Sequence, residues 1–85
     1  MDASMVPATG SDEMLRTPLT ARERAILQAI AQGHSTRDVA AAFQISPQTV
    51  QTHVRNILAK LGVHSKLEAI AHAVRVGLVR FEPDP

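Results

Sequence analysis

The chain has 85 residues, 45% of them hydrophobic, with two Phe as the only aromatics, so it can fill one aliphatic core and not two domains. The lack of cysteine excludes disulfide staples and thiolate metal sites, and no apolar run approaches the ~20 residues that span a bilayer. A net charge of +1 conceals a basic body: residues 18–80 carry eight Arg or Lys against Glu23, Asp38 and Glu68, while residues 1–17 and 81–85 are each net acidic.

Residues 1–17 mix Ser, Thr, Pro, Gly and Asp without an apolar period and read as a flexible arm or interdomain linker. They begin Met1-Asp2-Ala3-Ser4-Met5, without the basic and apolar regions of a signal peptide, so a cytoplasmic protein without membrane attachment is expected. Helix start signals then follow one another. Thr20-Ala21-Arg22-Glu23 is a capping box opening a helix over about 21–32, with Ile26, Leu27 and Ile30 inward and Gly33 as its left-handed stop. Ser35-Thr36-Arg37-Asp38 is a weaker box, one methylene shorter, opening a second helix over 36–43 with Val39, Ala40 and Phe43 inward. Ser46-Pro47 supplies an N-cap hydroxyl and a first-turn proline for a third helix over 47–61, ended by Gly62. Ser65-Lys66-Leu67-Glu68 reads as a further capping box for a fourth helix over 66–76, stopped at Gly77. No stretch alternates with period two, so the fold class is all-α: a four-helix bundle over residues 18–80, with residues 81–85 as a disordered tail.

The second and third helices are separated only by Gln44-Ile45-Ser46, too short a turn for antiparallel neighbours. They must cross steeply as a helix-turn-helix, which projects the later helix toward a DNA major groove. Val39, Ala40, Ile45 and Val50 lock the pair, and Ala40 is small enough to keep the helices close. At 100° per residue, Val50, Val54, Ile57, Leu58 and Leu61 form the core stripe of the third helix. The opposite side holds Gln48, Thr52, Arg55, Asn56 and Ala59, with Gln51 at its edge. It carries no carboxylate; indeed no acid occurs between Asp38 and Glu68. Arg can bond two acceptors on a guanine edge and Gln can pair with adenine. An acid-free polar face beside basic surroundings suits a polyanionic partner, with an ordinary solvated face as the competing reading.

Residues 18–79 resemble the LuxR-type (GerE-like) DNA-binding domain. The matching signatures are Leu19-Thr20-Ala21-Arg22-Glu23-Arg24, Ile30-Ala31-Gln32-Gly33, Ile45-Ser46-Pro47-Gln48-Thr49-Val50, His53-Val54-Arg55-Asn56-Ile57, Lys60-Leu61-Gly62-Val63 and Gly77-Leu78-Val79. They run in order and without gaps over nearly three-quarters of the chain. The resemblance implies sequence-specific binding of double-stranded DNA by a bacterial transcription regulator, with the third helix in the major groove. It implies base contacts from Gln51, Thr52, Arg55 and Asn56, and phosphate contacts from Thr36, Arg37, Gln48, Thr49 and Lys60. Two positions depart from the family pattern. Gln51 stands where a basic residue is common, so the preferred site cannot be borrowed from relatives; Gln44 stands where many such turns use glycine.

The family's fourth helix usually pairs subunits. Here Leu67, Ile70, Ala71 and Val74 are expected to face the core, leaving a small-apolar stripe of Ala69, Ala73 and Val76 as the dimer interface. So small a stripe would pair weakly alone and better on a two-fold DNA site. RNA polymerase is a further expected partner. The arm before Leu19 fits attachment to a controlling domain, and a free-standing regulator of this size is the alternative.

His34, His53, His64 and His72 share no metal-ligand spacing and are not expected to bind metal. His34 and His64 fall in loops, His53 borders the core, and His72 is expected in solvent. No catalytic residues or cofactors are expected, since no nucleophile–base pair or phosphate-cradling loop is present. The alternative function is a helical protein-interaction module, sigma-factor-like or anti-sigma-like, without independent DNA readout.

Overall fold

The computed structural model describes residues 17–80. All but the last residue of the expected arm, and the whole expected tail at 81–85, lie outside the described residues. Within them the chain forms four helices and no strand: α1 (Ala21–Ala31), α2 (Thr36–Phe43), α3 (Pro47–Leu61) and α4 (Lys66–Arg75). The fold is all-α, with each expected helix present and ends within a residue of expectation.

The start signals act as their chemistry requires. Thr20 Oγ1 accepts from the Glu23 amide at 3.0 Å, and Glu23 Oε1 accepts from the Thr20 amide at 2.9 Å. The Ser35–Asp38 box is also reciprocal, but its returning bond is longer at 3.3 Å, as the shorter side chain dictates. Ser65 caps α4 by accepting from the Glu68 amide at 3.1 Å. The expected reciprocal bond is absent there. Glu68 instead accepts from the amide of His64, one residue before the cap, at 2.7 Å.

The helix ends share one solution. Each closes with a bond from the second or third residue past the helix to a carbonyl five residues back, as in Ile45 to Ala40 at 3.0 Å and Val63 to Leu58 at 3.0 Å. That motif places the residue between them in the left-handed region. Glycine fills it after α3, where Gly62 has φ 71°, but Gln44 fills it after α2 with φ 58° and ψ 45°. The turn after α2 thus forms with a side chain held where glycine is favoured.

The core gathers Leu19, Ile26, Leu27, Ala31, Val39, Ala40, Val50, Ile57, Ala69, Ala73 and Val79, all buried. Val54, Leu58, Leu61 and Phe43 pack against it while half-buried. α3 packs against each of the other three helices, so the central element of the bundle is also the helix-turn-helix's second helix. The C-terminal end is tied back by Gln28, whose amide donates to the Arg80 carbonyl at 2.7 Å and accepts from the Arg80 amide at 3.0 Å.

α4 corrects the sequence reading. Its two stripes exist, but Ala69 and Ala73 of the second one face inward, and of the stripe expected to face the core Ile70 alone packs against it. Ala69 and Ala73 are buried at 2% and 0% exposure, whereas Leu67 is 77% and Val74 43% exposed. Ala69 and Ala73 therefore cannot form a dimer interface; Val76 is exposed, but at the cap that ends the helix. The reason is close approach: α4 packs on α1 and α3, and small side chains let backbones come together where Leu would hold them apart. His72, expected in solvent, is half-buried.

Candidate nucleic-acid interface

α2 ends at Phe43 and α3 begins at Pro47, so Gln44–Ser46 is the whole connection. Ser46 Oγ accepts from the Thr49 amide at 3.0 Å and shares a 2.9 Å hydrogen bond with Thr49 Oγ1. Pro47 occupies the first turn, where its missing N–H costs nothing. The start of α3 is thus fixed by its own residues, and Val50, fully buried one turn later, fixes its rotation.

With the core stripe inward, Gln48, Gln51, Thr52 and Arg55 are exposed. Asn56 is half-buried and sits at the margin of this face, as does Ala59. Arg55 has no hydrogen-bond or ion-pair partner among the described residues, so its guanidinium fork is open. Thr52 is engaged locally, its Oγ1 donating to the Gln48 carbonyl at 3.2 Å. At the start of α2, Arg37 is exposed and Thr36 half-buried, and at the start of α3 Thr49 is exposed. All nine expected DNA contacts thus lie on α3 or in the first turn of α2, and eight of them are outside any buried ion pair.

Lys60 is the exception. Its ammonium donates to Glu23 Oε1 at 2.7 Å, and the two side chains are only 9% and 6% exposed. A cation paired inside the bundle is not available to a phosphate, which counts against the phosphate contact expected of Lys60. Lys60 lies at the border of α3's apolar stripe, from which a long stem can reach inward. Burial pushes the Glu23 carboxyl up, but hydrogen bonds from Lys60 and Thr20, with the Lys60 charge, outweigh it and hold the group below its ordinary value of 4.5. The pair joins the start of α1 to the last turn of α3. Sequence reading missed this role because the partners lie 37 residues apart. Near the same end of α1, Arg22 stacks over the Phe43 ring at 5.2 Å and braces the end of α2.

No described helix is long and apolar enough to cross a membrane. Among the described residues no three His, Asp or Glu side chains gather as a metal site would require.

The model of the bacterial regulatory proteins of the luxR family matches residues 17–73. The chain belongs to that family. It carries the family's helix-turn-helix DNA-binding domain. The response regulatory protein YgeK of Escherichia coli K12, itself uncharacterized, is 48% identical over 60 residues, covering 71% of this chain and 41% of that protein. The response regulator protein VraR of Staphylococcus aureus is 44% identical over 62 residues, covering 73% of this chain and 30% of VraR. The matched segment thus spans well under half the length of these relatives. The solved structure of the transcription factor GerE superposes with a TM-score of 0.71 at 38% identity, covering 76% of this chain and 97% of GerE.

Proposed function

We propose that the chain reads double-stranded DNA by sequence as the effector domain of a bacterial transcription regulator, with α3 lying in the major groove. One observation carries this reading. The exposed side of α3 presents Gln48, Gln51, Thr52 and Arg55 as a polar, acid-free surface on a helix whose rotation the core fixes. Arg55 suits a guanine edge and Gln51 an adenine edge. Thr36, Arg37, Gln48 and Thr49 cluster at helix starts, where free amides and the helix dipole favour phosphate. Asn56 contributes at the margin.

Two copies would bind a two-fold site. The face available to a second copy is the exposed stripe Leu67, Ala71 and Val74, with Ile70 beside it. Such a patch is far smaller than a stable interface needs, so pairing is weak alone and promoted by DNA. The greater length of the response-regulator relatives fits control of pairing by a further domain. The expected setting is the cytoplasm, where such a regulator acts on RNA polymerase.

The test is selection of bound sequences from a random duplex pool, with binding repeated at two salt concentrations. A two-fold motif, with affinity falling steeply as salt rises, supports the reading and gives the half-site spacing. Weak binding without enrichment removes sequence readout from the chain alone. No binding at either salt favours the protein-interaction module.

A further inference from the structure

The proposed DNA reading leaves open which chemical groups α3 distinguishes. We propose that Thr52 reads thymine through its γ-methyl group. Thr52 is exposed and central on the recognition face, four residues after Gln48 and three before Arg55, and so a neighbour of both. Its hydroxyl donates to the Gln48 carbonyl at 3.2 Å. A hydroxyl has one proton, and here the helix takes it. With Oγ1 turned back toward the preceding turn, the staggered arrangement at Cβ fixes the methyl in another direction, and β-branching discourages other rotamers. Toward a groove, Thr52 then offers a methyl group and an oxygen lone pair, but no donor.

The other exposed side chains of this face, Gln48, Gln51 and Arg55, end in amides or a guanidinium. Those groups suit purine edges or phosphates. In the major groove the apolar feature that distinguishes one base is the thymine 5-methyl. Thr52 is the exposed position on this face that can meet it by apolar contact, whereas Ala59 is half-buried at its margin. The lone pair alone could instead accept from an adenine or cytosine amino group, which predicts a different response to substitution.

This inference rests on the proposed DNA reading, and its test separates the two. Using the full 85-residue chain, the motif from random-pool selection is rebuilt as synthetic duplexes in which each thymine in turn becomes deoxyuridine, which lacks only the methyl. One replacement should weaken wild-type binding about fourfold, the value of one buried methyl-sized group. Thr52→Val, which keeps a methyl and loses the hydroxyl, should retain that difference. Thr52→Ser, which keeps the hydroxyl and loses the methyl, should bind both duplexes equally. Thermal melting of both variants checks that the fold is kept. Discrimination that survives in Thr52→Ser, or vanishes in Thr52→Val, overturns the assignment. So does wild-type indifference to deoxyuridine throughout an enriched motif, while leaving sequence readout standing. Absence of any enriched motif overturns both.

Discussion

Arg55 shows what a single side chain can contribute to recognition. Its guanidinium is exposed, always charged and unpartnered among the described residues, so no internal contact must break before it meets a base. Arg55→Ala should cost about 1–3 kcal/mol on a selected site and relax the preference at one base pair. Titrations on the selected and scrambled duplexes measure both effects, and unchanged discrimination would move the readout off this part of α3. Gln44 tests backbone conformation instead. A non-glycine residue in the left-handed region costs roughly 1–2 kcal/mol, of which the extra unfolded-state entropy of glycine returns about half. Gln44→Gly should therefore raise the unfolding free energy by about 0.5–1 kcal/mol in urea titration. A loss of stability would mean that the Gln44 side chain makes a contribution larger than its strain.

At the scale of helices, the Glu23–Lys60 pair decides how α1 and α3 meet. Both side chains are nearly buried, and removing one partner of a buried pair commonly costs about 3–5 kcal/mol because the other charge is stranded. Lys60→Met should lie at the lower end, about 3 kcal/mol, since the stem still packs and Thr20 still bonds Glu23. The variant should lose affinity for specific and nonspecific duplexes only as far as it unfolds. A fully folded Lys60→Met that binds every duplex more weakly would restore the phosphate role. The pair also sets an acid limit. The folded Glu23 carboxyl lies below its ordinary value of 4.5, so its stabilisation is complete above that value and is lost as pH falls through the lowered one. Urea melts from pH 6 to pH 3 should show a steeper loss for wild type than for Lys60→Met. Parallel slopes would place the acid sensitivity elsewhere. Helix boundaries were legible in the sequence because caps and glycines are local signals: Thr20, Ser35, Ser46 and Ser65 all cap where they stand. Glu23–Lys60 and Gln28–Arg80 were not legible, since partners 37 and 52 residues apart meet only once the helices have packed.

For the whole molecule, α4 shows why helical periodicity alone does not fix which apolar stripe faces inward. A helix with two apolar stripes gives two valid periods, and side-chain size then favours burying the larger residues. Packing density reverses that choice, because the small side chains of Ala69 and Ala73 let α4 pack closely on α1 and α3. The larger Leu67 and Val74 are left outside, and the folded monomer gains nothing from them there. The two stripes can be separated by the same chemical change. Leu67→Glu places a charge on a 77% exposed site and should leave the thermal midpoint nearly unchanged. It should make binding to a two-fold site non-cooperative, with affinity for an isolated half-site kept. Ala73→Glu places the charge at a fully buried site and should unfold the domain. If Leu67→Glu binds the two-fold site as steeply as wild type, the copies do not meet through α4. If Ala73→Glu folds and only pairing is lost, the inward face of α4 is wrong, and with it the packing that sets the direction of α3.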